Sequence, residues 1–203
     1  MRRCLCCKTA EPRSLDGRPD ISRSHAAEAA ELDPEHADRL LSQWQVLALA
    51  SQLNVISGGQ TGVDRGALDA ALDLGVTCGG WCPAGRAAED GVIPARYPLT
   101  ELAGAGYDQR TRKNVEDSDG TLIILFGQAG GGTARTIEFC QRLGRAHLIV
   151  DAAVVPLEDA VRRAVRFVTN EGIRRLNVAG PRAAGEPRGY AYAYALVRQL
   201  CQQ

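Results

Sequence analysis

The sequence predicts an α/β protein built on a mostly parallel sheet with helices on both faces. Three observations predict it. Short apolar runs alternate with segments of helical period, and each run ends in a glycine-containing turn that opens the next helix. The run at 120–126, GTLIILF, is apolar nearly throughout, as a strand buried on both faces must be.

The elements follow in order. LNVIS (53–57) reads as the first strand. It leads through GGQTG into an Ala/Leu-rich segment ending at Gly75, where Val63, Ala67, Ala71 and Leu74 recur at helical spacing. GTLIILF is the second strand. It passes through QAGGG into TARTIEFCQRLG, with Thr133, Ile137 and Cys140 on one face. AHLIV (146–150) is the third strand, and PLEDAVRRAVRFV follows with Leu157, Val161, Ala164, Val165 and Val168 aligned. RRLNVAG (174–180) is the fourth strand, and PRAAGEPRG joins it to YAYAYALVRQL. The Tyr/Ala alternation there also suits a strand. Its alanines, and the helical spacing of Tyr190, Tyr194, Val197 and Cys201, predict a helix.

The chain divides near residue 50, giving an N-terminal extension over 1–50 and an α/β domain over 51–203. Residues 1–20 are rich in Arg, Pro and Cys without apolar periodicity and read as disordered. Residues 25–50 read as helical, with Asp33-Pro34 suited to a helix start. Two arrangements stay open: this helix docks on the domain, or it extends from it.

Composition narrows the partners. The 203 residues hold 24 basic and 24 acidic side chains, so the net charge is zero. A nucleic-acid coat or membrane-surface binder carries a basic excess, so neither partner is expected. No apolar stretch is long enough to span a bilayer, and the first residues lack the apolar core of an export signal. The seven cysteines therefore read as reduced thiols of a cytoplasmic protein. Cys4, Cys6 and Cys7 lack a second Cys or His pair at zinc-site spacing, so no metal ligated directly by the protein is expected. Cys78, Cys82 and His147 read as structural.

The glycine turns carry the functional signal. In an open parallel sheet, ligands bind beyond the carboxyl ends of the strands. Three turns fall there: Gly58-Gly59-Gln60-Thr61-Gly62, Gly130-Gly131-Gly132-Thr133 and Gly180-Pro181-Arg182. A strand-to-helix turn of this kind presents unpaired N–H groups at a helix N-terminus, and glycine removes the Cβ that would block a phosphate. Neither the Walker A pattern nor GxGxxG is present. Arg182 follows the third turn and Arg110 lies in RTRKN (110–114), so both are placed to neutralise an anion. Asn114 closes that segment. Asp64 and Arg65 stand in the first turn of the first helix, where ligand contact and local pairing are both open. Trp81 and Arg86 sit in a long loop of little periodicity, a place where function concentrates. For Trp81, two readings stand: stacking on a ring of the ligand, or covering the sheet end as a core aromatic.

These segments carry a resemblance. SGGQTGVDRGALDAAL, GWCPAGRAAEDG, RTRKNVEDSDGTLIILFG, GGGT and LNVAGPR together resemble the circularly permuted SLOG family, over about Leu53 to Leu200. The resemblance implies a Rossmann-like three-layer fold and a ligand of nucleotide or pterin-phosphate type. Members are often labelled molybdenum carriers, so molybdenum cofactor or a nucleotide derivative is the implied cargo, carried or sensed. Further copies of the same chain are the expected protein partners. The wider superfamily includes nucleoside 5'-monophosphate phosphoribohydrolases of the LOG type, which makes hydrolysis of such a ligand the alternative. Those enzymes carry an Arg eight residues before a Ser-Asp pair, matched by Arg110 and Ser118-Asp119. They also carry a Glu three residues past a Gly-Thr turn. Gly132-Thr133 matches the turn, but Thr136 stands at the Glu position, and Glu138 lies two residues further along the helix. No catalytic residue is assigned.

Overall fold

Every residue from Gly120 to Leu125 is buried. Only an interior strand covered on both faces can be so, and the rest of the domain is arranged around it. The computed structural model describes residues 53–203 apart from Ala105. The predicted extension, with Cys4, Cys6, Cys7, His25 and His36, lies outside the described residues.

Chain order is β1 (Asn54–Ile56), α1 (Val63–Asp73) and β2 (Cys78–Gly79). Next come β3 (Trp81–Pro83), a 3-10 turn (Ala84–Arg86), β4 (Ala87–Ala88), β5 (Gly91–Val92) and β6 (Thr100–Leu102). Then follow α2 (Tyr107–Glu116), β7 (Gly120–Leu125), α3 (Gly131–Arg142), β8 (Ala146–Asp151), α4 (Leu157–Asn170), β9 (Arg175–Ala179) and α5 (Gly189–Leu200). The main sheet runs β2-β1-β9-β7-β8, and every pairing in it is parallel. Counted from β9, that order is 3-2-1-4-5, the doubly wound Rossmann arrangement entered at a different point. The last strand in sequence is therefore the middle strand in space.

The pleat sorts the core into two sides. Leu122 and Ile124 of β7 pack with Leu176 and Val178 of β9 against α1, α4 and α5. Ile123, pointing the other way, meets Val115 of α2 and Cys140 of α3. In α4 the buried face is Ala160, Val161, Ala164 and Val168, close to the face that the spacing predicts.

The final segment is helical, but its deepest stripe is Ala193, Leu196, Val197 and Leu200. The tyrosines serve as rungs to α1. Tyr190 Oη donates to Asp69 Oδ2 at 2.8 Å, and Tyr194 Oη donates to Asp73 Oδ2 at 2.7 Å. Both pairs are spaced four residues apart, so they recur once per helical turn. Burial, with Asp69 second, pushes the Tyr190 hydroxyl up to about 12, so it stays a donor at neutral pH. The helices meet closely at Gly66, where a Cβ would stand 2.4 Å from the Tyr190 carbonyl oxygen.

The long loop has more order than the pattern predicts. β3 pairs with β6 in parallel, and β4 with β5 antiparallel. These strands are two or three residues long, too short to impose a period on the sequence. Leu68, Cys82, Ile93, Tyr97 and Leu99 form a small core beneath them. β2 is likewise only two residues, and the sequence reading misses it.

Candidate functional site

The loops after β1, β9 and β7 all emerge at the carboxyl edge of the sheet, and a cavity of about 950 Å³ opens among them. Its position follows from topology: β7 and β9 are neighbours whose following helices, α3 and α5, cover opposite faces. A crevice must form where the chain leaves a sheet in two directions.

On the β7 side, α3 begins at Gly131, whose φ of 49° is in the region that favours glycine. The N–H groups of Thr133 and Ala134 reach back to the Gly130 carbonyl at 3.1 and 3.3 Å. Those of Gly131 and Gly132 have no acceptor within the helix. Gly131, Gly132 and Thr133 all line the cavity. A Cβ at Gly130, Gly131 or Gly132 would meet no protein atom within 4 Å.

On the β9 side, Gly180 and Arg182 line the cavity. The Arg182 guanidinium lies 4.9 Å over the Tyr107 ring. It makes no ion pair among the described residues, so its N–H donors remain available.

The β1 side is different. Gly58, Gln60 and Asp64 line the cavity, as do Arg110 and Asn114 from α2. Arg110 passes so close to Gly58 that a Cβ there would collide with its Nη1. It pairs with the buried Asp64 at 3.4 Å. Burial raises the Asp64 carboxyl above its ordinary range, and Arg110 pulls the other way. The charge of Arg110 is thus already balanced. Of the two arginines expected to neutralise a ligand, both line the cavity, and Arg182 has its charge unspent among the described residues. Both ends of the Asn114 amide are engaged with the Trp81 backbone, at 2.8 and 3.0 Å.

Several predicted residues stand outside the cavity lining. The Trp81 indole N–H donates to Asp117 Oδ2 at 2.7 Å, and Lys113 Nζ lies 5.6 Å from the ring centroid. That partnership holds Trp81 on the α2 side, and it does not stack over the cavity. Arg65 is clamped to Asp90 through Nη1 and Nη2 at 2.6 and 2.8 Å. Arg86 is spent on the backbone: it donates to the carbonyls of Ile93, Pro94, Tyr97 and Leu99 at 3.0–3.1 Å. Gly59, Thr61 and Gly62 are structural members of their turn. Gly62 has φ 79°, and a Cβ on it would stand 2.5 Å from the Pro181 carbonyl oxygen. The Thr61 hydroxyl donates to Glu89 Oε1 and accepts from the Ala183 N–H at 3.2 Å.

Glu89, which the sequence offers with Asp64 and Glu138 as a carboxylate for the hydrolase alternative, lines the cavity, as do Tyr107 and Glu186, to which the sequence reading gives no site role. Glu89 ties two loops together, since its Oε1 also accepts from the Ala184 N–H at 3.1 Å. Glu186 is held by the guanidinium and N–H of Arg188, which lower its carboxyl to about 2. A usable signal for Glu186 existed: it is the one acid in the turn after the fourth strand. No signal marked Tyr107, which α2 delivers from the far side of the crevice.

Burial raises the thiols of Cys78, Cys82, Cys140 and Cys201, the last to about 11. None of the cavity-lining residues is Cys or His. Among the described residues, no group of three or more His, Cys, Asp or Glu side chains is arranged to hold a metal ion. Among the same residues, no helix is long and apolar enough to cross a membrane.

A parallel, doubly wound sheet with a cavity of mixed polar and apolar lining at its switch point defines a small-molecule-binding protein of the Rossmann-like class. The chain belongs to the circularly permutated YpsA SLOG family, whose model matches residues 55–201. It is also similar to the crystal structure of a candidate molybdenum carrier protein from Syntrophus aciditrophicus SB. The identity is 42%, the match covers 72% of this chain and 93% of that one, and the TM-score is 0.71. A search of curated proteins gives no match.

Proposed function

We propose that the protein binds a phosphate-bearing small molecule, molybdenum cofactor or a nucleotide derivative, and carries or senses it in the cytoplasm. The observation that carries this reading is the open start of α3. Glycine is not demanded by packing at Gly130 or Gly132, yet both positions leave room in front of free N–H groups. Such an end attracts an anion through its donors and its dipole. Arg182, across the crevice, supplies the full positive charge. The likeness to a protein described as a candidate molybdenum carrier supports the cofactor as cargo. The residues fit such a cargo through its phosphate: Gly131 and Gly132 N–H and Arg182 would hold it, and any metal would arrive inside the cargo. The free cysteines among the described residues suit a reducing compartment. Self-association belongs to the same proposal, with size-exclusion light scattering as its check.

The hydrolase alternative lacks its carboxylate. Thr136 stands at that position, and its hydroxyl donates to the Gly132 carbonyl at 3.0 Å. Glu138 is bound by Arg135 at 2.7 Å and Arg142 at 3.1 Å and does not line the cavity. Losing a general base costs about 10²–10⁴ in rate.

The test is mild purification followed by mass spectrometry of bound small molecules with elemental analysis for molybdenum, then calorimetry with matched phosphorylated and unphosphorylated nucleosides and pterins. Phosphate esters bind more tightly than their parents on this reading. Equal affinities overturn it. Release of free base from AMP, GMP, CMP or IMP at about 1 s⁻¹, an ordinary enzyme turnover, falling sharply in Glu89→Gln, would make the protein an enzyme.

A further inference from the structure

The two edges of the main sheet are unequal. β2 ends one side and is only two residues long. β8 ends the other with six residues, Ala146–Asp151, all in continuous register with β7. Natural sheets blunt such an edge with lysine, proline, a bulge or a covering element. The strand AHLIVD has neither lysine nor proline, its register has no bulge, and no described strand lies beyond it.

Strand alternation fixes which groups point outward. The Ala152 N–H donates to the Leu125 carbonyl at 2.7 Å, so the even-numbered residues turn their main-chain groups to β7. His147, Ile149 and Asp151 turn theirs away. Among the described residues, the N–H groups of His147 and Ile149 find no main-chain acceptor. Ile149 registers with Ile123 on the α3 face of the sheet, yet it is 39% exposed. An open ladder with an apolar centre is a docking edge for another strand.

The charges at the two ends of β8 say which strand. A two-fold axis at Ile149 sets His147 opposite the partner's Asp151, and Asp151 opposite the partner's His147. Every outward residue then has a counterpart within the strand, the two Ile149 side chains meet at the axis, and a basic side chain stands beside an acidic one twice. The Asp151 carboxylate uses Oδ1 for the N–H groups of Gly127 and Ala153, at 2.8 and 3.0 Å, and neither bond involves Oδ2. One residue either way spoils the match. A centre at Leu148 sets Asp151 against Arg145, whose N–H is already given to the Cys140 carbonyl at 2.9 Å. A centre at Val150 sets Ile149 against Asp151.

We infer that β8 is a self-pairing edge: two copies of the chain join their β8 strands antiparallel about Ile149 and continue one sheet through both. The inference rests on the self-association proposed above and names its surface. Antiparallel joining turns the carboxyl edges of the two sheets in opposite directions, so the two cavities open at opposite ends of the joined sheet.

The experiment is sedimentation equilibrium of the full chain over a concentration series, with thermal melts to show that each variant is folded. The unaltered protein is a dimer. Ile149→Lys sets two ammonium groups face to face at the axis and raises the dimer dissociation constant about tenfold or more. His147→Glu opposes acid to acid and weakens the dimer about threefold or more, whereas His147→Lys keeps a basic group before Asp151 and stays within about twofold of the unaltered protein or tighter. A dimer that a folded Ile149→Lys leaves intact overturns the edge assignment while self-association stands. A monomer at every concentration overturns both. His147→Glu dimerising as tightly as His147→Lys overturns the register, and the inference with it, whether or not Ile149→Lys folds.

Discussion

The two glycine-rich sides of the cavity look alike in sequence and are opposite in structure. On the β1–β9 side, glycine is compelled by the protein: a Cβ at Gly180 would stand 2.6 Å from the Ile124 carbonyl oxygen, and one at Gly62 2.5 Å from that of Pro181. On the β7 side, Cβ atoms at 130–132 would stand in open space. The first set of glycines lets backbone meet backbone. The second keeps a helix end clear for something the protein does not itself supply. A glycine turn thus carries two meanings, told apart by what a side chain would strike.

Substitutions divide along that line. Gly62→Ala imposes a strained φ and a backbone collision, and should cost about 2–4 kcal/mol of stability, read as a lower denaturation midpoint. A midpoint unchanged by Gly62→Ala would break the contrast. Arg182→Ala should leave the midpoint nearly unchanged and weaken a phosphate ester by about 1.5–3 kcal/mol, the worth of a hydrogen bond to a charged group. Calorimetry checks it. Gly132→Ala should hold or slightly raise thermal stability, because alanine favours a helix over glycine by about 1 kcal/mol, while reducing ligand affinity several-fold. Loss of stability there would show that packing governs both sides after all.

The smallest effect concerns two cavity carboxylates with opposite shifts. Arg188 holds Glu186 at about 2, below its ordinary 4.5, so its stabilisation is present above pH 4.5 and is lost as pH falls towards 2. The Tm difference between the unaltered protein and Glu186→Gln should therefore narrow from about pH 5 to about pH 3, part of the way through that shift. Asp64 is raised by burial, so its sign is reversed: stability falls as pH climbs from the ordinary carboxylate value of 3.8 through the raised one. Asp64→Asn should remove that descent.

Much of the fold was legible because a parallel strand buried on both faces writes a continuous apolar run, as at 120–125; the edge strand at 146–150 is only partly buried but is apolar enough to read the same way. The placement of the glycine turns at one rim followed from the same fact, since loops after parallel strands share an edge. Side-chain partnerships were not legible. Trp81 is taken by Asp117, 36 residues away, and Arg65 by Asp90, 25 residues away. No local spacing encodes such a meeting. Arg86 looked available for a ligand because a lone loop arginine gives no hint that four carbonyls will surround it.

The position of β9 has a consequence in time. Synthesis delivers β1 and β2, then β7 and β8, before the strand that stands between them. Until Arg175–Ala179 leaves the ribosome, the growing chain holds two half-sheets, each with an inner edge of unpaired N–H and C=O groups. Such edges invite wrong partners, and at ordinary elongation speeds they wait for seconds. The crevice between β7 and β9 does not exist during that wait. A ligand of that crevice therefore cannot template the early stages, so expression yield should respond more to holding chaperones than to ligand supply.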